Sequence, residues 1–400
     1  MGLPLVAGVG WQQAPLAQRG KAGASKGLWK VRCGARAGAA VVVHKGFGDD
    51  AGFGAWVEVP SLDWSDAGAV GAVRDAAVGA FKGQGAGVVV VRGLPLMEPE
   101  TVVDVSRWFG AHVERNPGVD PAFLLPGWPE IQRLGNAMDP ATGKPAAVFQ
   151  ASRMLPLDDP GTYDPVTRAP VWHTDQLFRV PQPRGSLLHC RAAPPVGSGA
   201  RTLFASTEAA YASLAAAEKV RVDGLYAVAS YAHHNAKIRR LSPLNASGFP
   251  VLGAEQRRNF PPVILPLASV HPDTGKRCLN CFSSAVFAVV DGDDPLLDIV
   301  RGAQAGDDRA FKALDAYEVD GREHPSVESV LRRWLLPHAT APDAVYAHPW
   351  HPGDIVVWDN LCTIHAPTGF DAKRYRREMW RTTFASEEPP RAQGSGAGMD

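Results

Sequence analysis

The sequence predicts a mainly β chain, a sandwich or barrel with flanking helices, and three observations carry that expectation. After Gly135 the pattern becomes a series of short β-rich runs divided by Pro and Gly, at 186–190, 202–205, 263–267, 278–282, 354–358 and 379–384. Many short strands joined by turn signals are the mark of such folds. Helical spacing is confined to inserts between those runs and to the stretch before them. Finally, the glycine-rich GQGAG at 83–87 precedes its strand, whereas a dinucleotide-binding loop must follow one, and that order excludes a Rossmann unit.

Composition narrows the functional classes. Four hundred residues suit one large enzyme domain with insertions. Lys plus Arg equals Asp plus Glu at 41 each, which lacks the basic excess of a nucleic-acid binder. With 45% hydrophobic and 20% charged residues the chain reads as globular, not disordered. Its apolar runs, such as 88–91, fall far short of a membrane span. The five cysteines (Cys33, Cys190, Cys278, Cys281 and Cys362) are odd in number and scattered, which points to a reducing compartment. Cys278 and Cys281 form a lone CxxC with no second pair or nearby His to complete a zinc site, and an ordinary strand explains them better.

The elements follow in order. Residues 1–48 hold seven basic residues and no acid, so the rest of the chain carries 34 basic against 41 acidic residues. An Ala/Gly-rich, acid-free start predicts that 1–50 is a transit peptide, with a disordered basic tail as the alternative. Chloroplast is the first expectation for localisation, then mitochondrion or cytoplasm. Val6 stands where a myristoylation signal needs Ser or Thr. The catalytic-size domain is placed at 51–386. Within it, 67–81 has helical spacing, 83–87 is a turn, and VVVVRG at 88–93 is a buried strand. Pro99 and Glu100 open a second helix that reaches Trp108 and Phe109. Further helices are expected at 208–217 and 326–337. The acid-rich segment 291–323 reads as a surface insertion, and the Pro/Gly/Ser-rich 387–400 as a disordered tail.

The sharpest chemical signal is Trp172-His173-Thr174-Asp175. In an extended segment, residues i and i+2 share a face, so His173 and Asp175 can offer an imidazole nitrogen and a carboxylate oxygen to one metal. A second histidine from a distant strand would complete a two-His-one-carboxylate facial triad with open positions on Fe(II). His112-Val113-Glu114 is a rival of the same kind. In GDIVVWDNLCTIHAP, His365 is the candidate third ligand, on one face with Leu361 and Thr363 if that segment is extended. In RREMWRTTF, Arg377 and Arg381 also share a face, and arginines inside a barrel need anions to meet them. A bound dicarboxylate, gripped in bidentate fashion, would supply one.

Taken in order, RWFG, WHTD, GARTL, HPDTGKRCL, HPWHPGDIVVWDN, TIHAP and RREMWRTT resemble the Fe(II)/2-oxoglutarate-dependent dioxygenases of the taurine/2,4-dichlorophenoxyacetate (TauD/TfdA) family, over roughly residues 55–384. The ordered set is specific; no single member of it is. The resemblance implies a double-stranded β-helix (jelly roll) flanked by helices. It implies His173, Asp175 and His365 as catalytic iron ligands, and Arg377 with Thr202 as the pair holding the far carboxylate of 2-oxoglutarate. Arg381 matches a position near the substrate anion. Ala169 replaces the Asn that taurine-oxidising members carry four residues before the first ligand, and no His lies between His112 and His173, so taurine is not the expected substrate. On the residues alone, Arg377 could instead pair with Asp371 or Glu378, Thr202 could be a plain strand residue, and Arg381 could be structural. His233 and His234 are adjacent, point apart and cannot chelate together.

The resulting expectation is an oxygenase that needs Fe(II), 2-oxoglutarate and O2. It would hydroxylate a small organic acid, a carboxylate or sulfonate, and release succinate and CO2. Asp175 favours hydroxylation, since a Gly or Ala there would open a halide site. A non-catalytic jelly roll that binds a metal or small acid is the alternative; a hydrolase lacks any nucleophile elbow. No nucleic-acid or membrane partner is expected, and homo-oligomerisation stays open.

Overall fold

The computed structural model describes residues 28–30, 41–47, 53–83, 87–115, 121–148, 172–241 and 251–385. Its frame is a nine-stranded sheet in the order Leu28–Lys30, Val42–Lys45, Ala55–Glu58, Val88–Arg92, Ile355–Asp359, Pro183–Ala192, Glu378–Ala385, Trp128–Gly135 and Leu124–Leu125. Every pairing is antiparallel except that of Ala55–Glu58 with Val88–Arg92. A three-stranded sheet, Val345–His348, Thr202–Ser206 and Thr363–Pro367, closes over it in the jelly-roll arrangement.

Strand alternation distributes the core. Val89, Val91, Leu187, Ile355, Val357, Trp380 and Phe384 point outward, under the helices Ala67–Lys82 and Pro99–Arg107. Val88, Val90, Leu188, Cys190, Val356, Trp358 and Met379 point inward, where they meet Phe204 and Trp350 of the smaller sheet's side. The two sets belong to opposite faces of the same strands, as a two-residue period requires. This explains the unbroken VVVV run: the strand is covered on both sides. The first helix begins where the Asp66 side chain caps the amides of Gly68 and Ala69, and Pro99 opens the second at a position with no amide to lose.

Several expectations shift. Val42–Lys45 joins the main sheet, with Val41 and Val43 buried, so the folded region starts before residue 51; most of 1–40, including Cys33, lies outside the described residues, as does the tail 387–400. The helix expected at 208–217 is two helices, Thr207–Ser213 and Ala216–Asp223. Leu214 turns extended between them, and the Glu218 side chain accepts from the Ala215 amide to start the second. Residues 291–323 form the helices Pro295–Gln304, Asp308–Ala313 and Asp315–Glu318. They bury Leu297, Val300, Ala303 and Phe311 against Val228, Phe287 and Val290. The segment is therefore a packed layer over the sheet Val263–Pro266, Leu225–Ala229 and Val286–Asp291. The run at 278–282 is strand only over Arg277–Leu279, with both of its cysteines buried.

Candidate active site

His173 and His365 meet across an isolated antiparallel bridge, each backbone amide donating to the other's carbonyl at 3.0 and 2.9 Å. Trp172 and Leu177 are fully buried and anchor the segment from both ends. Between them, the Thr174 amide donates to the Phe282 carbonyl at 2.9 Å, and its hydroxyl to the Asn360 carbonyl at 2.8 Å. This backbone clamp brings the two imidazoles to a centroid separation of 4.3 Å.

Asp175 completes the cluster with its two carboxylate oxygens differently committed. Oδ1 lies 3.8 Å from His173 Nε2 and 3.9 Å from His365 Nε2. Oδ2 accepts the Ser186 hydroxyl at 3.0 Å and faces the Arg381 guanidinium at 3.5 Å. Burial by itself pushes the Asp175 carboxyl up; Arg381, the two histidines and Ser186 outweigh it and hold the group at about 2. Burial, aided by His173 and Arg381, pushes the His365 imidazole down to about 3, so its nitrogen keeps its lone pair at neutral pH. Two imidazole nitrogens and one ionised carboxylate oxygen are the donor set that suits Fe(II) and leaves coordination positions open. These residues fit the metal.

On the inner face of the Glu378–Ala385 strand, Arg381 reaches Asp175, and Arg377 lies just before the strand begins. Gly135 opposes it with φ +131, and a Cβ at that glycine would stand 2.0 Å from the Arg377 carbonyl oxygen, so no other residue allows this approach. Asn136 then locks the Arg377 backbone, accepting from its amide at 2.8 Å and donating to its carbonyl at 3.1 Å. The Arg377 side chain is 6% exposed, and among the described residues no carboxylate pairs with it. Burial pushes its guanidinium down to about 10, which leaves it charged at neutral pH. The structural partners considered from sequence are occupied elsewhere: Glu378 binds Arg133 and Arg376, and Asp371 caps the amides of Lys373 and Arg374. Thr202 is buried, and its hydroxyl accepts the Trp350 indole N–H at 3.0 Å.

A second group, His271, Asp359 and Cys362, brings metal-ligating atoms equally close. Its charges are already met. Arg184 donates to Asp359 Oδ2 at 2.6 and 2.9 Å, His271 Nε2 lies 2.9 Å from the same oxygen, and the Leu361 amide takes Oδ1. The rival His112–Glu114 pair does not form a ligand set, since Glu114 binds Arg179 and His112 is exposed. His233 and His234 point apart on the helix Tyr231–Leu241, toward the Tyr317 carbonyl and the Ser284 hydroxyl. Sequence reasoning missed Ser186, Asn136, Gly135 and Trp350. Ser186 was legible in principle as an inward position of its strand; the other three depend on contacts between distant segments.

The fold and this cluster define a class. The chain matches the taurine catabolism dioxygenase TauD, TfdA family over residues 48–383, and it belongs to that family. It is 32% identical over 214 residues to the alpha-ketoglutarate-dependent 2,4-dichlorophenoxyacetate dioxygenase of Burkholderia sp. (strain RASC), a match covering 53% of this chain and 57% of that protein. To the alpha-ketoglutarate-dependent sulfate ester dioxygenase of Pseudomonas putida it is 27% identical over 232 residues, covering 57% of this chain and 63% of that one. Both matches span less than two thirds of the relative's length. A solved taurine dioxygenase from Burkholderia xenovorans aligns with a TM-score of 0.47 at 23% identity, covering 84% of this chain and 88% of that one.

Proposed function

We infer that this protein is an Fe(II)- and 2-oxoglutarate-dependent dioxygenase that hydroxylates a small organic anion. The observation that carries the reading is the convergence of two imidazoles and one carboxylate, His173, His365 and Asp175, in the same fold as a buried arginine that has no carboxylate partner among the described residues. A protein that needed neither a metal nor an acid would have no electrostatic reason to keep both.

Each residue has a task. His173 Nε2, His365 Nε2 and Asp175 Oδ1 would hold the ion, while Ser186 and Arg381 keep the other Asp175 oxygen turned away from it. Arg377 and Thr202 would grip the distal carboxylate of 2-oxoglutarate and thereby orient its keto-acid end. Trp358, its ring 4.7 Å from that of His365, and Phe204 wall the site with apolar surface that excludes water. Bound there, Fe(II) would supply the oxygen activation that couples conversion of 2-oxoglutarate to succinate and CO2 with substrate hydroxylation.

Arg381 supports an anionic substrate, because its Nε is buried with no hydrogen-bond partner among the described residues while its far nitrogen faces Asp175. Two relatives, a 2,4-dichlorophenoxyacetate dioxygenase and a sulfate ester dioxygenase, support the same class. Succinate formation from 2-oxoglutarate under Fe(II) and ascorbate, accelerated by a carboxylate, sulfonate or sulfate ester, tests the proposal. No succinate under any of these conditions would leave a non-catalytic binding protein as the better reading. The acid-free first 48 residues support organelle import, first to a plastid. Sizing the native protein by mass spectrometry tests this, since an intact Met1 or Gly2 terminus would contradict it.

A further inference from the structure

The hydroxyl of Thr202 is held in one hydrogen-bonding state. A hydroxyl can donate one hydrogen and accept through its lone pairs, whereas an indole N–H can only donate. The 3.0 Å contact between Trp350 Nε1 and Thr202 Oγ1 therefore has a single polarity, indole to hydroxyl. That leaves the hydroxyl hydrogen over. Thr202 and Trp350 are 3% and 4% exposed, and among the described residues no acceptor meets that hydrogen. A buried donor left unmade is costly, so an acceptor is expected to arrive with a ligand.

The indole is itself fixed by groups outside the ligand cluster. Its ring meets His348 edge-on, with centroids 4.5 Å apart at 87°. His348 Nε2 lies 3.1 Å from Asp354 Oδ2, and its Nδ1 2.8 Å from the Tyr346 hydroxyl. Arg92 grips the same Asp354 carboxylate through two nitrogens, at 2.9 and 2.7 Å. Phe204, Cys190 and Met379 share the buried cluster with Trp350, and Met379, paired with Cys190, lies two residues beyond Arg377. The indole is thus packed on one side against His348, which the buried Asp354 carboxylate holds, and shares its cluster with Met379 near Arg377.

We propose that Trp350 is a positioning residue for co-substrate binding: by donating to Thr202 it commits that hydroxyl to donate in turn, making the threonine a one-way donor to the carboxylate held by Arg377. The proposal rests on reading the Arg377 pocket as the co-substrate's. It assigns Trp350 an effect that passes wholly through one hydrogen atom of another residue.

Calorimetric titration of 2-oxoglutarate into the Mn(II)-loaded full-length protein tests it. Trp350→Phe should raise the Kd by about 3- to 10-fold, the size of one hydrogen bond's net contribution. Thr202→Val should raise it by roughly 10-fold or more, because the lost bond is to a charged group. The double variant should bind within about 2-fold of Thr202→Val, since the indole has nothing left to orient. Binding of 2-oxobutanoate, which lacks the distal carboxylate, should be unchanged by Trp350→Phe. An unchanged Kd for 2-oxoglutarate, losses that add in the double variant, or an equal loss for 2-oxobutanoate would each overturn the proposal, the last two by revealing a packing role. If instead Arg377→Leu leaves 2-oxoglutarate binding intact, the co-substrate reading itself fails. Should Trp350→Phe not fold, β-(3-benzothienyl)alanine at position 350 keeps the bicyclic shape, removes only the N–H, and is judged by the same outcomes.

Discussion

Two clusters in this molecule use nearly the same residue types and reach opposite states. At His271, Asp359 and Cys362 the buried carboxylate already has its cation, because Arg184 donates to it at 2.6 Å. At His173, Asp175 and His365 the nearest guanidinium, Arg381, stands 3.5 Å from the outer oxygen, and the inner oxygen faces two imidazoles. The first cluster is a closed structural network; in the second, two imidazole nitrogens and the inner carboxylate oxygen converge without an arginine on that oxygen among the described residues. The arginines divide the same way. Arg184 binds Asp359 and Asp273, while Arg377 is buried with neither. Residue identity does not separate a ligand site from a structural knot; satisfaction of charge does.

The largest expected effect breaks this comparison outright. His173→Ala, Asp175→Ala or His365→Ala should lower Fe(II) or Co(II) affinity by at least ~100-fold and abolish turnover, with the folded circular dichroism spectrum retained. His271→Ala should leave metal stoichiometry at its wild-type value. Equal metal loss from both clusters would mean the two had been distinguished wrongly.

The arginine pair gives a sharper contrast, with opposite signs. Arg377→Leu should raise the 2-oxoglutarate requirement by one to several orders of magnitude, about 2–5 kcal/mol, for loss of a buried charge partner. Because that cation has no carboxylate partner among the described residues, urea denaturation of the metal-free protein should find the variant as stable as wild type or more so. Arg184→Leu strands Asp359 and should cost about 3–5 kcal/mol of stability. Unchanged 2-oxoglutarate affinity in Arg377→Leu would end its assigned role.

Smaller effects probe how the ligand cluster is held. Ser186→Ala removes the hydroxyl that occupies Asp175 Oδ2 and should weaken metal binding by roughly 10- to 100-fold with little change in the Kd of 2-oxoglutarate for the metal-saturated enzyme. Arg381→Gln, which keeps an amide donor toward Asp175 Oδ2, should raise the substrate KM by about 10-fold while uncoupled 2-oxoglutarate turnover of the metal-saturated enzyme stays nearly intact. A parallel fall in both would make Arg381 a support for Asp175 alone. His112→Ala should not alter iron binding, since neither it nor Glu114 belongs to the ligand cluster.

The β-rich pattern after Gly135, the two N-terminal helices and the ordered WHTD, TIHAP and RREMWRTT segments were legible because their information is local. A two-residue period tells which side chains share a face, and Pro99 marks where a helix can begin. Other features were not. The break at Leu214 depends on a capping contact from Glu218, and the 291–323 segment reads as surface because its buried positions face a sheet built from elsewhere in the chain.

By itself, then, the sequence determined the layered β architecture and the list of residues able to bind a metal and an acid. Tertiary structure decided which of them do so. His173 and His365 become neighbours through a backbone bridge between distant segments, and Glu114 is removed from contention by Arg179. Arg184 and Arg377 are indistinguishable as letters, yet Arg184 is paired with Asp359 and Asp273, and among the described residues Arg377 is paired with no carboxylate. The physical reason is that coordination and ion pairing act over a few ångströms of space, and spacing along a chain specifies such distances only within a single element.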